Sequence, residues 1–166
     1  MIATLLLATL ATCAPAQAAT PAAIRASHIV VDKAARRLSV YAGDTLLASY
    51  AVALGGNPLG HKTREGDRRT PEGDYVLDYK NAASAYYRSI HISYPNAADR
   101  RQARARGVAP GGDIMIHGQP NNAAFRAWLQ LNPGVDWTDG CIALSDADMQ
   151  ALWERVRVPL PIRINP

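Results

Sequence analysis

The chain has 166 residues, 48% of them hydrophobic and 19% charged, with a formal net charge of +4, which is enough for one compact domain with a real core. The mild positive charge would draw it to anionic polymers or membrane surfaces. Nucleic acid is not an expected partner, because no helix-turn-helix or zinc pattern is present and the sequence holds 1 phenylalanine.

The first charged side chain is Arg25, and alanine, leucine, threonine and small polar residues fill the stretch before it. The apolar run from Ile2 to Leu10 is too short to span a bilayer, and Ala16-Gln17-Ala18 follows as an A-x-A cleavage pattern. We therefore expect a signal peptide over 1–18, a short linker over 19–27, a domain over 28–166, and a place in the periplasm or cell envelope. Leu10-Ala11-Thr12-Cys13 also resembles a lipobox, in which case the signal ends before Cys13 and a lipid on that residue would anchor the protein to a membrane. On either route Cys141 has no disulfide partner. An unpaired cysteine in an exported chain stands out as a reactive thiol.

From His28 to Ala53 the pattern is strand-like: Ile29 to Val31, then Leu38, Val40 and Tyr41 in alternation, then Leu46 to Leu54. Ala42-Gly43-Asp44 reads as a hairpin turn. Gly55 to Gly60 opens a loop that runs through Lys62 to Arg69, and Pro71-Glu72-Gly73 turns into a strand over Tyr75 to Tyr79. No Gly-Lys-Ser/Thr follows Gly55-Gly56, so a phosphate loop is ruled out there. Ala97 to Arg106 and Ala123 to Leu131 read as helices, and the arginines at 100, 101, 104 and 106 as a solvated helix face. Ile114 to Ile116 is a short strand that delivers His117. Ser145-x-x-Asp148 caps a helix carrying Met149, Leu152, Trp153 and Val156, and Leu160, Ile162 and Ile164 form a final strand. The sum is a mainly β domain with a few short helices.

Two short segments carry the chemistry: Ile116-His117-Gly118, and Asp136 to Leu144 with Gly140-Cys141 at its centre. A thiol becomes a useful nucleophile when a histidine is brought beside it. Glycine before it lets a substrate carbonyl approach the backbone. The plainer reading is a small buried core thiol. His117 is the best partner, with His91 in reserve as a base. The four histidines, His28, His61, His91 and His117, are scattered without metal-ligand spacing, so no metal is expected. Asp67, Glu72, Asp136 and Asp139 could act as paired carboxylates, but spacing cannot set any two across a substrate. Asp136, Thr138 and Asp139 are more simply the turn that presents Cys141.

Gly66-Asp67-Arg68-Arg69-Thr70-Pro71-Glu72-Gly73, Ile116-His117-Gly118 and Thr138-Asp139-Gly140-Cys141-Ile142 occur in the order and spacing of the L,D-transpeptidase (YkuD) catalytic domain. Val31-Asp32 to Tyr41 also resembles that domain's first hairpin. The resemblance covers about His28 to Ile164 and implies a mainly β, YkuD-like β-sandwich with a few short helices, without metal or organic cofactor. Its implied substrates are peptidoglycan stem peptides. The cysteine takes the carbonyl of the third stem residue and releases D-alanine, and an amine then resolves the thioester. That amine belongs to another stem or to a lipoprotein lysine.

Carried over, Cys141 is the nucleophile, His117 the general base, Gly118 the carbonyl that orients it, and Gly140 and Cys141 the oxyanion donors. Thr138, Asp139, Arg69 and Arg88 are implied at the substrate. The family's S-H-G-C-[IV]-R differs here at Thr138, Asp139 and Ala143. The missing arginine needs a substitute, for which Arg69, Arg88 and Arg101 are candidates. Two rival readings remain: a carboxypeptidase or amidase that passes the acyl group to water, including from a lipoprotein link, and a wall-binding module without catalysis. A Cys-His ion pair would show itself by alkylation below neutral pH.

Overall fold

The computed structural model describes residues 25–166, so the signal peptide, the lipobox with Cys13 and most of the linker lie outside the described residues. Eight strands and three helices follow in the order β1 (His28–Asp32), β2 (Arg37–Ala42), β3 (Thr45–Ala51), β4 (Gly73–Ser84), β5 (Tyr87–Ile92), α1 (Ala97–Ala105), β6 (Met115–His117), α2 (Ala123–Leu131), β7 (Ile142–Ala143), α3 (Asp146–Arg155) and β8 (Leu160–Asn165). The strands form one sheet of order β3-β2-β1-β8-β4-β5-β6-β7.

Period-two alternation builds this sheet. Ile29 faces Val40 and Val31 faces Leu38 across β1 and β2, and all four side chains are buried. The C-terminal strand is inserted at the centre, parallel to β1 and antiparallel to β4, so that Leu160, Ile162 and Ile164 point into the core while Pro161 and Arg163 stay exposed. Each such fully buried aliphatic side chain contributes roughly 1.5–3 kcal/mol relative to exposure.

Two departures from the sequence pattern bear on the site. β4 continues beyond Tyr79 to Ser84, and β5 pairs back along it with irregular register. β7 has only two residues, too few to show any periodicity. It is held from both sides: Ile142 pairs with Ile116 of β6, while Ala143 exchanges two backbone hydrogen bonds of 2.9 and 2.8 Å with Ala53, just beyond β3. The sheet therefore curls until its two edges meet.

The loop from Gly56 to Glu72 is tied down by two buried ammonium groups. Lys33 Nζ donates to Glu72 (2.6 Å) and to the carbonyls of Gly60 and Thr70, and Lys62 Nζ donates to Asp67 (2.9 Å). Burial alone would raise the Asp67 carboxyl. Amides of Thr63, Arg69 and Arg64 together with Lys62 instead hold it below the usual carboxylate range. A methyl at Gly55 would lie 2.2 Å from the Arg68 carbonyl, so only glycine lets this loop cross so closely.

Each helix begins on a side-chain cap: Asn96 with Asp99 in a capping box, Asn122, and Ser145. α3 buries Met149 and Leu152 in the common core with Ile90, Ile116 and Ile142. The arginines at 100, 101, 104 and 106 are exposed, and none makes an ion pair among the described residues. No described helix is long and apolar enough to cross a membrane.

Candidate active site

The register of three neighbouring strands sets the site. Ile90, Ile116 and Ile142 lie in one row across β5, β6 and β7, each fully buried. The alternate residues must face the other way. Ser89 is directly opposite His117 on that second face, and Cys141, immediately before β7, follows the same side next to Met115. A cavity of about 230 Å³ opens there, lined among others by Cys141, His117, Ser89, Asp113, Met115 and Tyr86.

His117 is buried and fixed. Its Nδ1 lies 2.8 Å from the Gly118 carbonyl. A carbonyl only accepts, so Nδ1 carries the hydrogen and Nε2 keeps the lone pair. The Tyr86 ring packs against the imidazole at 4.6 Å and Trp137 meets it edge-on at 5.5 Å. Gly118 N–H is itself held by the carbonyls of Tyr86 and Arg88. Cys141 Sγ accepts from Met115 N–H at 3.4 Å and donates to the Asp113 carbonyl at 3.6 Å.

Both titratable groups are pushed toward neutrality. Burial lowers the His117 pKa against the opposing pull of the Gly118 hydrogen bond. Burial raises the Cys141 thiol, the Asp139 and Asp113 charges add to this, and Met115 N–H and Lys62 oppose it. Burial thus favours the neutral thiol and the neutral imidazole in the free site and works against the ion pair expected from the motif. Alkylation of the free protein by iodoacetamide should therefore rise with pH along a curve centred above the ordinary thiol value of about 8.5. A midpoint below neutrality would mean that the ion pair forms without substrate.

The other residues singled out in the sequence are dispersed. Thr138 is buried in the turn, where its hydroxyl donates to the Cys141 carbonyl at 2.7 Å and accepts from Gly140 N–H at 3.2 Å. Gly140 has φ +133° and lies against the Arg69 carbonyl. Asp139 is open to solvent and pairs with Arg68 Nε at 3.3 Å. Arg69 seats the turn through its backbone, and its Nε is buried without a hydrogen-bond partner. Arg88 is drawn to the opposite face, over the rings of Tyr87 and Trp153 at 5.5 and 5.2 Å. Arg101 stays on the exposed side of α1. None of Thr138, Asp139, Arg69 and Arg88 lines the Cys141 cavity.

Asp136 holds Arg36 at 2.7 Å and Leu54 N–H at 2.8 Å, His91 pairs with Asp78, and Glu72 with Lys33. Where the family's arginine would project, Ala143 borders a cavity of about 270 Å³ shared with Ala53, Leu129 and Trp137. Sequence reasoning missed Tyr86, Ser89, Asp113 and Met115. Tyr86, at the β4–β5 connection, has no local signal, and only its long-range contact with His117 reveals it.

No three His, Cys, Asp or Glu side chains gather in a metal-binding arrangement among the described residues. A curled sheet that presents a cysteine and a carbonyl-oriented histidine from adjacent strands defines a cysteine–histidine site. The model of the L,D-transpeptidase catalytic domain, YkuD, matches residues 26–164, and the chain belongs to that family.

The putative L,D-transpeptidase YafK of Escherichia coli K12 is 35% identical over 115 residues, 66% of this chain and 44% of the relative. This chain thus spans less than half of that relative's length. The helical cell shape determining protein Pgp2 from Campylobacter jejuni superimposes with a TM-score of 0.65 at 24% identity, over 84% of this chain and 47% of that one. The Enterococcus faecium L,D-transpeptidase C442S mutant does so with a TM-score of 0.54 at 16% identity, over 86% and 50%. Both share the fold.

Proposed function

We propose that this protein is an exported cysteine acyltransferase acting on peptidoglycan stem peptides in the cell envelope. The observation that carries the reading is the shared cavity of Cys141 and His117, with Nε2 of the imidazole as the free base. Family membership supplies the substrate class.

In this reading the stem carbonyl enters beside Cys141. Sγ attacks as its proton passes to His117 Nε2, so charge develops only once substrate has displaced water. Met115 N–H faces the sulfur as it becomes anionic. Thr138 holds the peptide planes before Gly140 and after Cys141, which bracket the plane carrying the Cys141 amide, so that this amide can meet the oxyanion. The C–N bond then breaks, the imidazolium proton goes to the departing D-alanine amine, and a thioester remains on Cys141. An incoming amine, from a neighbouring stem or a lipoprotein lysine, attacks the thioester carbonyl and gives a proton to Nε2; the C–S bond breaks and the imidazolium returns that proton to Sγ.

Purified protein incubated with tetrapeptide muropeptides should release D-alanine, and Cys141→Ala should release none. Retained release in that variant would refute the assignment of the nucleophile. Mass analysis of the products reads the acceptor. Dimers linked through third residues establish transfer, and tripeptide monomers alone would show that water takes the acyl group.

A further inference from the structure

A ladder of aromatic rings leaves the active site and ends in a second cavity. From His117 it passes to Trp137 at 5.5 Å, to Phe125 at 5.3 Å with the rings nearly perpendicular, and to Trp128 at 6.0 Å. The cavity at its end, about 380 Å³, is lined by Gly56, Arg68, Phe125, Trp128, Val135 and Trp137 with Asp136. α2, which carries Phe125 and Trp128, buries none of its side chains, and Trp128 is 46% exposed. A large aromatic residue left open at such a cost in apolar exposure marks a binding surface rather than a core.

The lining identifies the ligand chemistry. Aromatic faces match the apolar face of a pyranose ring, and the Arg68 guanidinium supplies hydrogen-bond donors for hydroxyl or acetamido oxygens. Arg68 lies over Gly56, where a side-chain methyl would come within 2.5 Å of its Nη2, and it also reaches Asp139 beside the nucleophile. One end of the cavity is therefore linked to the catalytic turn. The ring steps of 5.5, 5.3 and 6.0 Å from His117 through Trp137 and Phe125 to Trp128 make one continuous aromatic wall between the two cavities.

We propose that the cavity under Trp128 is a glycan subsite, binding the N-acetylated hexosamine of the strand that bears the donor stem. The proposal rests on the peptidoglycan reading above. It makes the donor a stem still attached to its sugar.

The test compares D-alanine release from a free tetrapeptide and from the same tetrapeptide on its disaccharide, using the full chain. Wild type should favour the disaccharide form. Trp128→Ala should lower kcat/KM for that form about tenfold, the usual size for an aromatic anchor, and leave the free peptide within about twofold. Equal losses on both substrates, or none, would overturn the subsite. So would an unchanged preference together with a changed association state, which would make α2 a protein interface. A second readout needs no turnover: quenching of tryptophan fluorescence by the peptide-free disaccharide. It should persist in Cys141→Ala and vanish in Trp128→Ala. Quenching without any D-alanine release would spare the subsite and refute the reaction, whereas release without quenching would do the reverse.

Discussion

Glutamine in place of His117 should lower D-alanine release by roughly 10²–10⁴-fold while the protein keeps its fold. Glutamine can still donate to the Gly118 carbonyl, which His117 holds at 2.8 Å, so the loss is that of a base and not of a buried hydrogen bond. The wild-type pH profile of kcat/KM gives an independent check. Burial depresses the His117 pKa, and the base works only when neutral. Activity should therefore persist below the ordinary imidazole value of about 6.5 and fail on the acid side only as pH drops through the depressed value. In His117→Gln that acid limb should disappear. An acid limb at its original place would assign the base elsewhere, with His91 ruled a poor substitute by its Asp78 partner and its stacking on Tyr79.

Gly140→Ala should be severely damaging. Its φ of +133° is open to glycine alone, and the added methyl would lie 2.6 Å from the Arg69 carbonyl and 3.1 Å from Ile114 Cδ1. Strained backbone of this kind costs about 1–3 kcal/mol, and the clash with a fixed carbonyl adds to it. Displacement by as little as about 1 Å of a reacting group costs on the order of 100-fold in rate, so D-alanine release should fall at least that far. Gly134→Ala separates the causes. Gly134 also has positive φ, +79°, but a methyl there meets nothing within 4 Å. A thermal melt should show a modest loss for Gly134→Ala and a larger one for Gly140→Ala. Equal losses would mean that strain, not the Arg69 contact, sets the penalty.

Much of the fold was legible because half-buried strands carry their pattern on the surface of the sequence. Leu38 with Val40, and Leu160 with Ile162 and Ile164, alternate without interruption, and each is buried in the structure. The second half of β4, Lys80 to Ser84, has no such alternation because none of its residues is buried. β7 escaped because two residues cannot display a period. Cys141, His117 and Gly118 were legible from type and motif, and the structure gathers them.

The arginines were not, since a cation's sequence position does not say which face it takes. Arg88 follows the parity of Ile90 and is claimed by Trp153, one residue away from Ser89 in the cavity. The protonation of the dyad was also beyond the motif. It depends on how deeply the two groups are buried, and the Tyr86 and Trp137 rings that pack on the imidazole are brought in from the β4–β5 connection and the segment before the cysteine.

The bridge between Ala53 and Ala143 has a consequence for how the thiol comes alive. Cys141 is two residues from a join that unites the start and the end of the sheet, and such non-local pairings are slow to form because long loops must close first. The imidazole, its aromatic walls and the turn under Gly140 come from segments spread along most of the chain. An incompletely folded chain therefore carries a cysteine without its imidazole neighbour. Under the proposed reaction, only the completed fold puts a base beside the thiol, so the chemistry waits until the domain around Cys141 is whole.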